Sequence, residues 1–127
     1  MSCTLERMTE TLAVCRLAAD ADAPTWASGE FVCVTRTPDE LSIVCPEGNI
    51  PEDTPAERGW SALRVAGQLD FSLVGVLAGL TATLAEARIS VFVISTYDTD
   101  YLLVKEADFS AAEQALVRAG HTVKHAS

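Results

Sequence analysis

Histidine, aromatic residues and positive charge are all scarce in this chain of 127 residues. Only two histidines are present, His121 and His125. They stand four apart near the C-terminus and could share a face of a strand, but two histidines without further ligands do not make a metal site. Nine Lys and Arg face eighteen Asp and Glu, a net charge of −9. Nucleic-acid binding needs clustered cations that displace counterions from phosphates, so that class is excluded. An anionic membrane surface is excluded for the same reason. The negative charge is read as serving solubility. No run of about 20 apolar residues is present to span a bilayer. The start, M-S-C-T-L-E-R-M-T-E, lacks a basic segment followed by an apolar one, so no secretory signal is read and a cytoplasmic location is expected. GxSxG, P-loop and HExxH patterns are absent, and nothing calls for a cofactor. Cys3, Cys15, Cys33 and Cys45 fit neither CxxC nor zinc-ligand spacing. Buried, reduced thiols are expected, although Cys33 and Cys45 could face each other across a hairpin.

Apolar residues, at 49%, are plentiful enough for a core. The chain divides at Pro46 to Gly59, where three prolines, two glycines and four acidic residues mark a surface connection. After it, Ser61 to Ala66 reads as a strand, and Gly67 to Asp70 as a turn. A helix is predicted from about Ser72 to Ala87, with Asp70 or Ser72 as N-cap and Leu73, Val74, Val76, Leu77, Leu80 and Leu84 as its apolar surface. Ile89 to Thr96 and Tyr101 to Lys105 read as two strands joined tightly at Asp98-Thr99, without the usual Asn-Gly or Asp-Gly. A second helix is predicted over Ser110 to Ala119, with capping-box spacing between Ser110 and Glu113 and a stop at Gly120. His121 to Lys124 closes as a strand. The order β-α-β-β-α-β is the ferredoxin-like pattern, an α+β fold with its first and third strands central.

Before the connection, Thr11 to Ala18, Phe31 to Thr35 and Leu41 to Cys45 read as strands, the last two forming a hairpin through Thr37 to Glu40. Ala19 to Glu30 leaves room for at most a turn or two of helix near Pro24 to Ala27. The expectation is a truncated β-α-β-β half over residues 1–58, followed by a complete unit over 59–127. Strands in the second half are apolar on both faces: Ile89, Val91 and Val93 point one way and Phe92 and Ile94 the other, and Leu102, Leu103 and Val104 are consecutive. A sheet covered on one side only should alternate, so both faces are expected to be buried, by the first half, by a second subunit or by both. Together with the uncharged predicted helix, this points to a homodimer.

Two chemistries compete at S-T-Y-D-T-D-Y-L-L-V, Ser95 to Val104. Asp98 and Asp100 could form an acid/base pair, since residues two apart share a strand face. No further His, Cys or acid completes a catalytic site nearby, so an enzyme is not expected. The alternative is binding. The turn at Gly67 to Ser72 delivers the chain into a helix N-terminus that suits a carboxylate, with Gly75 permitting close approach. Asp98 or Asp100 on the adjacent strand end suits an ammonium or guanidinium. Together they sketch a pocket for a zwitterion.

Those stretches carry a resemblance. G-x-L-D-F-S-L-V-G-V-L-A-G-L, then I-S-V-F-V-I-S-T-Y-D-T-D-Y-L-L-V, is similar to small bacterial ACT-domain proteins and to the ACT repeats of the animal cytosolic arginine sensors. T-R-T-P-D-E-L-S-I-V-C-P-E, Thr35 to Glu47, resembles the first-half signature of the same bacterial proteins. The resemblance implies a tandem ACT arrangement and a regulatory module that holds an amino acid where two ACT units pair. It implies that Leu69, Asp70, Phe71, Leu73, Val74 and Gly75 border the ligand. Ser90 and Val91 match ligand-contacting strand positions, and Thr96, Tyr97 and Asp100 match a set contributed by the other unit, the aspartate facing a basic side chain. It also implies a protein partner docking at Tyr97 to Asp100 as the other use of that segment. The competing reading is a ligand-free module that only drives oligomerisation or protein interaction.

Overall fold

In a computed structural model, residues 2–66 and 75–125 are described. The chain divides into two compact units, residues 1–9 with 61–127, and residues 10–60.

The larger unit is built on β5 (Ala56–Val65), α1 (Val76–Glu86), β6 (Phe92–Ser95), β7 (Asp100–Lys105), α2 (Phe109–Arg118) and β8 (Thr122–His125). This is the expected β-α-β-β-α-β order. β5 and β7 pair with each other, and β6 pairs antiparallel with β7, Ser95 opposite Asp100. One strand was not anticipated: β1 (Thr4–Arg7) lies between β5 and β8, antiparallel to the first and parallel to the second. Only Leu5 is apolar in its four residues, so the alternation is too short to read. Its fully buried Leu5 joins the core, and its backbone bonds both neighbours, for instance Ala66 N–H to Thr4 O at 2.8 Å and Thr122 N–H to Cys3 O at 2.9 Å.

The core of this unit packs Leu63 and Val65 of β5 and Leu102 and Val104 of β7 against Val76, Leu80 and Leu84 of α1 and Phe109, Ala112 and Leu116 of α2. Spacings of four along α1 and of three to four along α2 put these side chains on one stripe of each helix. Fully burying each large apolar side chain contributes about 1.5–3 kcal/mol. The other face of β7 is buried too, since Leu103 is as inaccessible as its neighbours Leu102 and Val104. At β7, therefore, residues on both faces are buried.

Helix α1 is described from Val76, with Gly75 as its N-cap in a left-handed conformation, φ +88°. The expected caps, Asp70 and Ser72, lie outside the described residues. Helix α2 has no capping box. Asp108 is its N-cap, without a side-chain bond, because Glu106–Asp108 already turn as a 3-10 segment, and Ser110 instead accepts from Gln114 Nε2 at 3.3 Å.

Both helices stop on the same hydrogen-bond pattern. Ile89 N–H bonds Leu84 O and Arg88 N–H bonds Ala85 O, and His121 N–H bonds Leu116 O and Gly120 N–H bonds Val117 O. The left-handed position is Gly120 (φ +100°) after α2 but Arg88 (φ +61°) after α1. Replacing Arg88 with glycine relieves that steric cost and should raise stability by about 0.5–1 kcal/mol, whereas Gly120→Arg should lower it by about 1–2 kcal/mol. Urea midpoints that move in the same direction for both variants would contradict this.

The smaller unit forms a sheet in the order β3 (Cys33–Arg36), β4 (Leu41–Pro46), β2 (Leu12–Leu17) and the first half of β5. Its core contains Ala13, Cys15, Leu41, Ile43, Cys45 and Ile50. Thr37 closes the β3–β4 turn, its Oγ1 accepting from the N–H groups of Asp39 and Glu40 at 3.2 Å each. Cys33 stands opposite Val44, so Cys45, one residue along, points to the other face and cannot bridge to it. All four cysteines are free thiols. The stretch read as a surface connection is anchored: Arg58 donates to the carbonyls of Glu47 (3.0 Å), Ile50 (3.4 Å) and Pro51 (3.3 Å), and Ile50 is buried.

Candidate functional site

The β6–β7 hairpin carries most of the described candidate residues. β-Branched Val93 and Ile94, preceded by Phe92, favour extended backbone, and the register ends at Ser95 opposite Asp100. Thr96 to Thr99 make the loop. Thr96 N–H donates to Thr99 O at 2.8 Å, and the Thr96 hydroxyl accepts from Thr99 N–H at 3.3 Å. Arg88 is the only non-glycine with positive φ among the described residues, so Tyr97 and Asp98 turn the chain without the left-handed conformations that Asn-Gly serves. Hydroxyl groups, not glycine, hold this turn.

Thr99, read from the sequence only as part of the tight connection, fixes the loop in place. It is 4% exposed, and its Oγ1 donates to Val65 O at the end of β5 at 2.7 Å. Its signal was available as a third hydroxyl residue beside Ser95 and Thr96. Asp100 is half-buried, and its Oδ1 accepts from Ser95 Oγ at 2.5 Å, leaving Oδ2 with no partner among the described residues. Tyr97 is 77% exposed at the hairpin tip, next to exposed Asp98.

β5 finishes at Val65, where Thr99 is bound, and Gly75 caps α1, the element before β6. Among the described residues no atom lies within 4 Å of where a Cβ on Gly75 would stand, and its left-handed backbone favours glycine. Leu69, Asp70, Phe71, Leu73 and Val74 lie outside the described residues. Ser90 and Val91 precede β6 at the opposite end. At about 3.3 Å per residue, Val91 and Thr96 are separated by roughly 16 Å. Thr96, Tyr97 and Asp100 thus stand at one end of the hairpin, and Ser90 and Val91 at the other.

Three further titratable groups are shifted by burial. Burial pushes the Cys15 thiol up and the Cys45 thiol up to about 11, so both stay protonated and poorly nucleophilic at neutral pH. Burial pulls His121 below its usual range, and its Nδ1 accepts from Cys3 N–H at 3.0 Å, which requires the neutral ring. His125 Nε2 instead meets Glu113 Oε2 at 2.8 Å, so the two histidines serve different partners. No described helix is long and apolar enough to cross a membrane.

A family model for the ACT domain matches residues 56–118, and a second model, described as an N-terminal domain, matches residues 10–53. The cytosolic arginine sensor for mTORC1 subunit 1 of Bos taurus is 32% identical over 102 residues, covering 70% of this chain. The chain spans 30% of the length of that relative. A crystal structure of a protein from Agrobacterium tumefaciens is 35% identical, with a TM-score of 0.94 over 100% of this chain and 96% of that one. The aspartokinase alpha and beta subunits align with a TM-score of 0.65 over 91% of both chains at 17% identity, a likeness of fold alone.

Proposed function

This chain belongs to the ACT-domain family, and from that premise we propose that it is a regulatory protein that binds a free amino acid where two ACT units pair. It acts by binding rather than by turnover, in the cytoplasm, where its arginine-sensing relative is described. The observation that carries the reading is the separation of the two residue sets. Ser90 and Val91 stand roughly 16 Å along the hairpin from Thr96. One small ligand cannot touch both sets on a single unit, whereas a facing unit can supply the second. A second copy of the chain is the proposed source. The half-buried apolar residues Val91, Phe92 and Val93 and the absence of charge on α1 before Glu86 support that pairing.

In this arrangement, Leu69, Asp70, Phe71, Leu73, Val74 and Gly75 border the ligand at the start of α1. Asp100 meets the positive end of the ligand through its Oδ2, and Thr96 and Tyr97 line the same side. The exposed Tyr97 to Asp100 tip is the proposed docking point for any protein partner.

Thermal unfolding in the presence of each of the twenty amino acids tests this. One amino acid at a hundred times its dissociation constant should stabilise the protein by about 2.7 kcal/mol. Asp100→Ala should weaken binding by about 1.5–3 kcal/mol, the worth of a hydrogen bond to a charged group. If none of the twenty shifts the transition, the ligand-free oligomerisation module takes this reading's place.

A further inference from the structure

The smaller unit ends in an open edge. β3 is the last strand of its sheet among the described strands, with β4 on one side of its backbone and no strand on the other. One row of side chains crosses this sheet on a single face, from Cys15 on β2 through Ile43 on β4 to Val34 on β3. Cys15 and Ile43 are 2% and 0% exposed, but Val34 is 46% exposed. Val32, just before β3, is 39% exposed. The apolar row thus runs off the edge uncovered. Edge strands are ordinarily blunted by proline, a bulge or an outward charge. β3 has none of the three. Its register with β4 is unbroken, C-V-T-R holds no proline, and its one charge, Arg36, is turned back onto the carbonyls of Ala19 and Ala21, the latter at 2.7 Å.

Charge around this edge selects what can cover it. Residues 10–60 hold ten carboxylates and three arginines, a net −7 of the chain's −9. All three arginines are engaged within the unit: Arg16 with Glu40 at 3.6 Å, Arg36 as above, and Arg58 on the carbonyls of Glu47, Ile50 and Pro51. Exposed Glu30 stands shortly before β3 and exposed Asp39 in the turn after it, and exposed Asp20 and Asp22 flank the Ala21 carbonyl that holds Arg36. None of these four carboxylates is in an ion pair among the described residues. We propose that β3 is a docking edge for an extended, basic segment of another protein, which adds a strand beside it. Main-chain hydrogen bonds to β3 hold that segment, its apolar side chains continue the row past Val34, and its lysines or arginines meet Glu30 and Asp39. A second copy of this chain is disfavoured as the occupant, because two units of −7 repel. The edge shares no residue with the amino-acid site proposed above.

Two-dimensional NMR titration of the full chain with three short, end-capped peptides tests this: alternating lysine and valine, alternating lysine and glycine, and alternating glutamate and valine. The lysine–valine peptide should cause saturable shifts at the amides of Val32 to Arg36. It should bind about 10-fold tighter than the lysine–glycine peptide, which carries the charge without the apolar cover or strand preference. The glutamate–valine peptide should not bind. Raising the ionic strength from about 0.1 M to about 1 M should weaken the lysine–valine complex about 10-fold. Val34→Lys, at an exposed position, should weaken it about 10-fold or more. Glu30→Gln combined with Asp39→Asn should weaken it about 2- to 10-fold. Asp100→Ala should leave it unchanged, which separates this edge from the amino-acid site. No shift at these amides with the lysine–valine peptide, equal affinity for either control peptide, or unchanged affinity in Val34→Lys would overturn the proposal. So would the same shifts on concentrating the chain alone, which would give the edge to a second copy.

Discussion

Leu102→Ala and Leu103→Ala should each cost about 2–5 kcal/mol, although the two side chains point in opposite directions. Both are fully buried. Leu102 packs in the core formed with α1 and α2, and truncating it leaves a cavity that the close-packed Leu63, Leu80 and Leu116 can only partly fill. Leu103 lies on the other face of β7 and is as inaccessible. In a sheet covered on one side, one of the pair would be half-exposed and its truncation cheap. Urea unfolding of each variant checks this through the midpoint at unchanged slope. A loss under about 1 kcal/mol for Leu103→Ala would show that the second face is not packed in the single chain.

Thr99→Val should lower stability by about 1–3 kcal/mol and weaken amino-acid binding with it. The substitution keeps the shape of the side chain but removes the donor to Val65 O, leaving a buried carbonyl unpaired. The loop from Thr96 to Thr99 then loses its tie to β5, and Tyr97 and Asp100 lose their fixed position relative to the start of α1. Thr99→Ser keeps the hydroxyl and should recover most of the binding. Calorimetric titration of both variants with the amino acid found in the thermal screen checks this. Unchanged affinity in Thr99→Val would separate the anchor from the site.

The order of elements from β5 to β8 was legible because each carries its own period: four-residue spacing along α1, consecutive apolar residues in β7, and Gly120 at the end of α2. The hairpin that carries Asp100 was legible for the same reason. Boundaries failed where backbone geometry overrides pattern. The 3-10 turn at Glu106–Asp108 displaces the expected cap of α2. β1 was missed because four residues with one apolar side chain give no period, and its place between β5 and β8 depends on partners more than 50 residues away. Register alone rules out the Cys33–Cys45 facing that the sequence left open, since a shift of one residue turns a side chain to the opposite face.

Of the candidate site, residue types were visible and their grouping was not. Asp100, Thr96 and Tyr97 could be named from the motif, but Ser90 and Val91 stand only a few residues away in sequence and at the other end of the hairpin in space. Arg7 shows the same limit more sharply. In T-L-E-R it is an unremarked charge, and only the fold sets it on Phe109 and beside Glu106.

By itself, the sequence determined the α+β class, the ferredoxin-like order of the larger unit, the burial of residues on both faces of β7, and the residue types at the hairpin. Each of these follows from local periodicity and composition, which act over a few neighbouring residues. Tertiary structure alone decided where β1 inserts, that Thr99 anchors the loop, which carboxylate oxygen of Asp100 takes the Ser95 hydroxyl, and that Arg7 stacks on Phe109. Those depend on register and on contacts between distant segments, and a hydrogen bond or a stacked guanidinium needs a partner that no local pattern can locate.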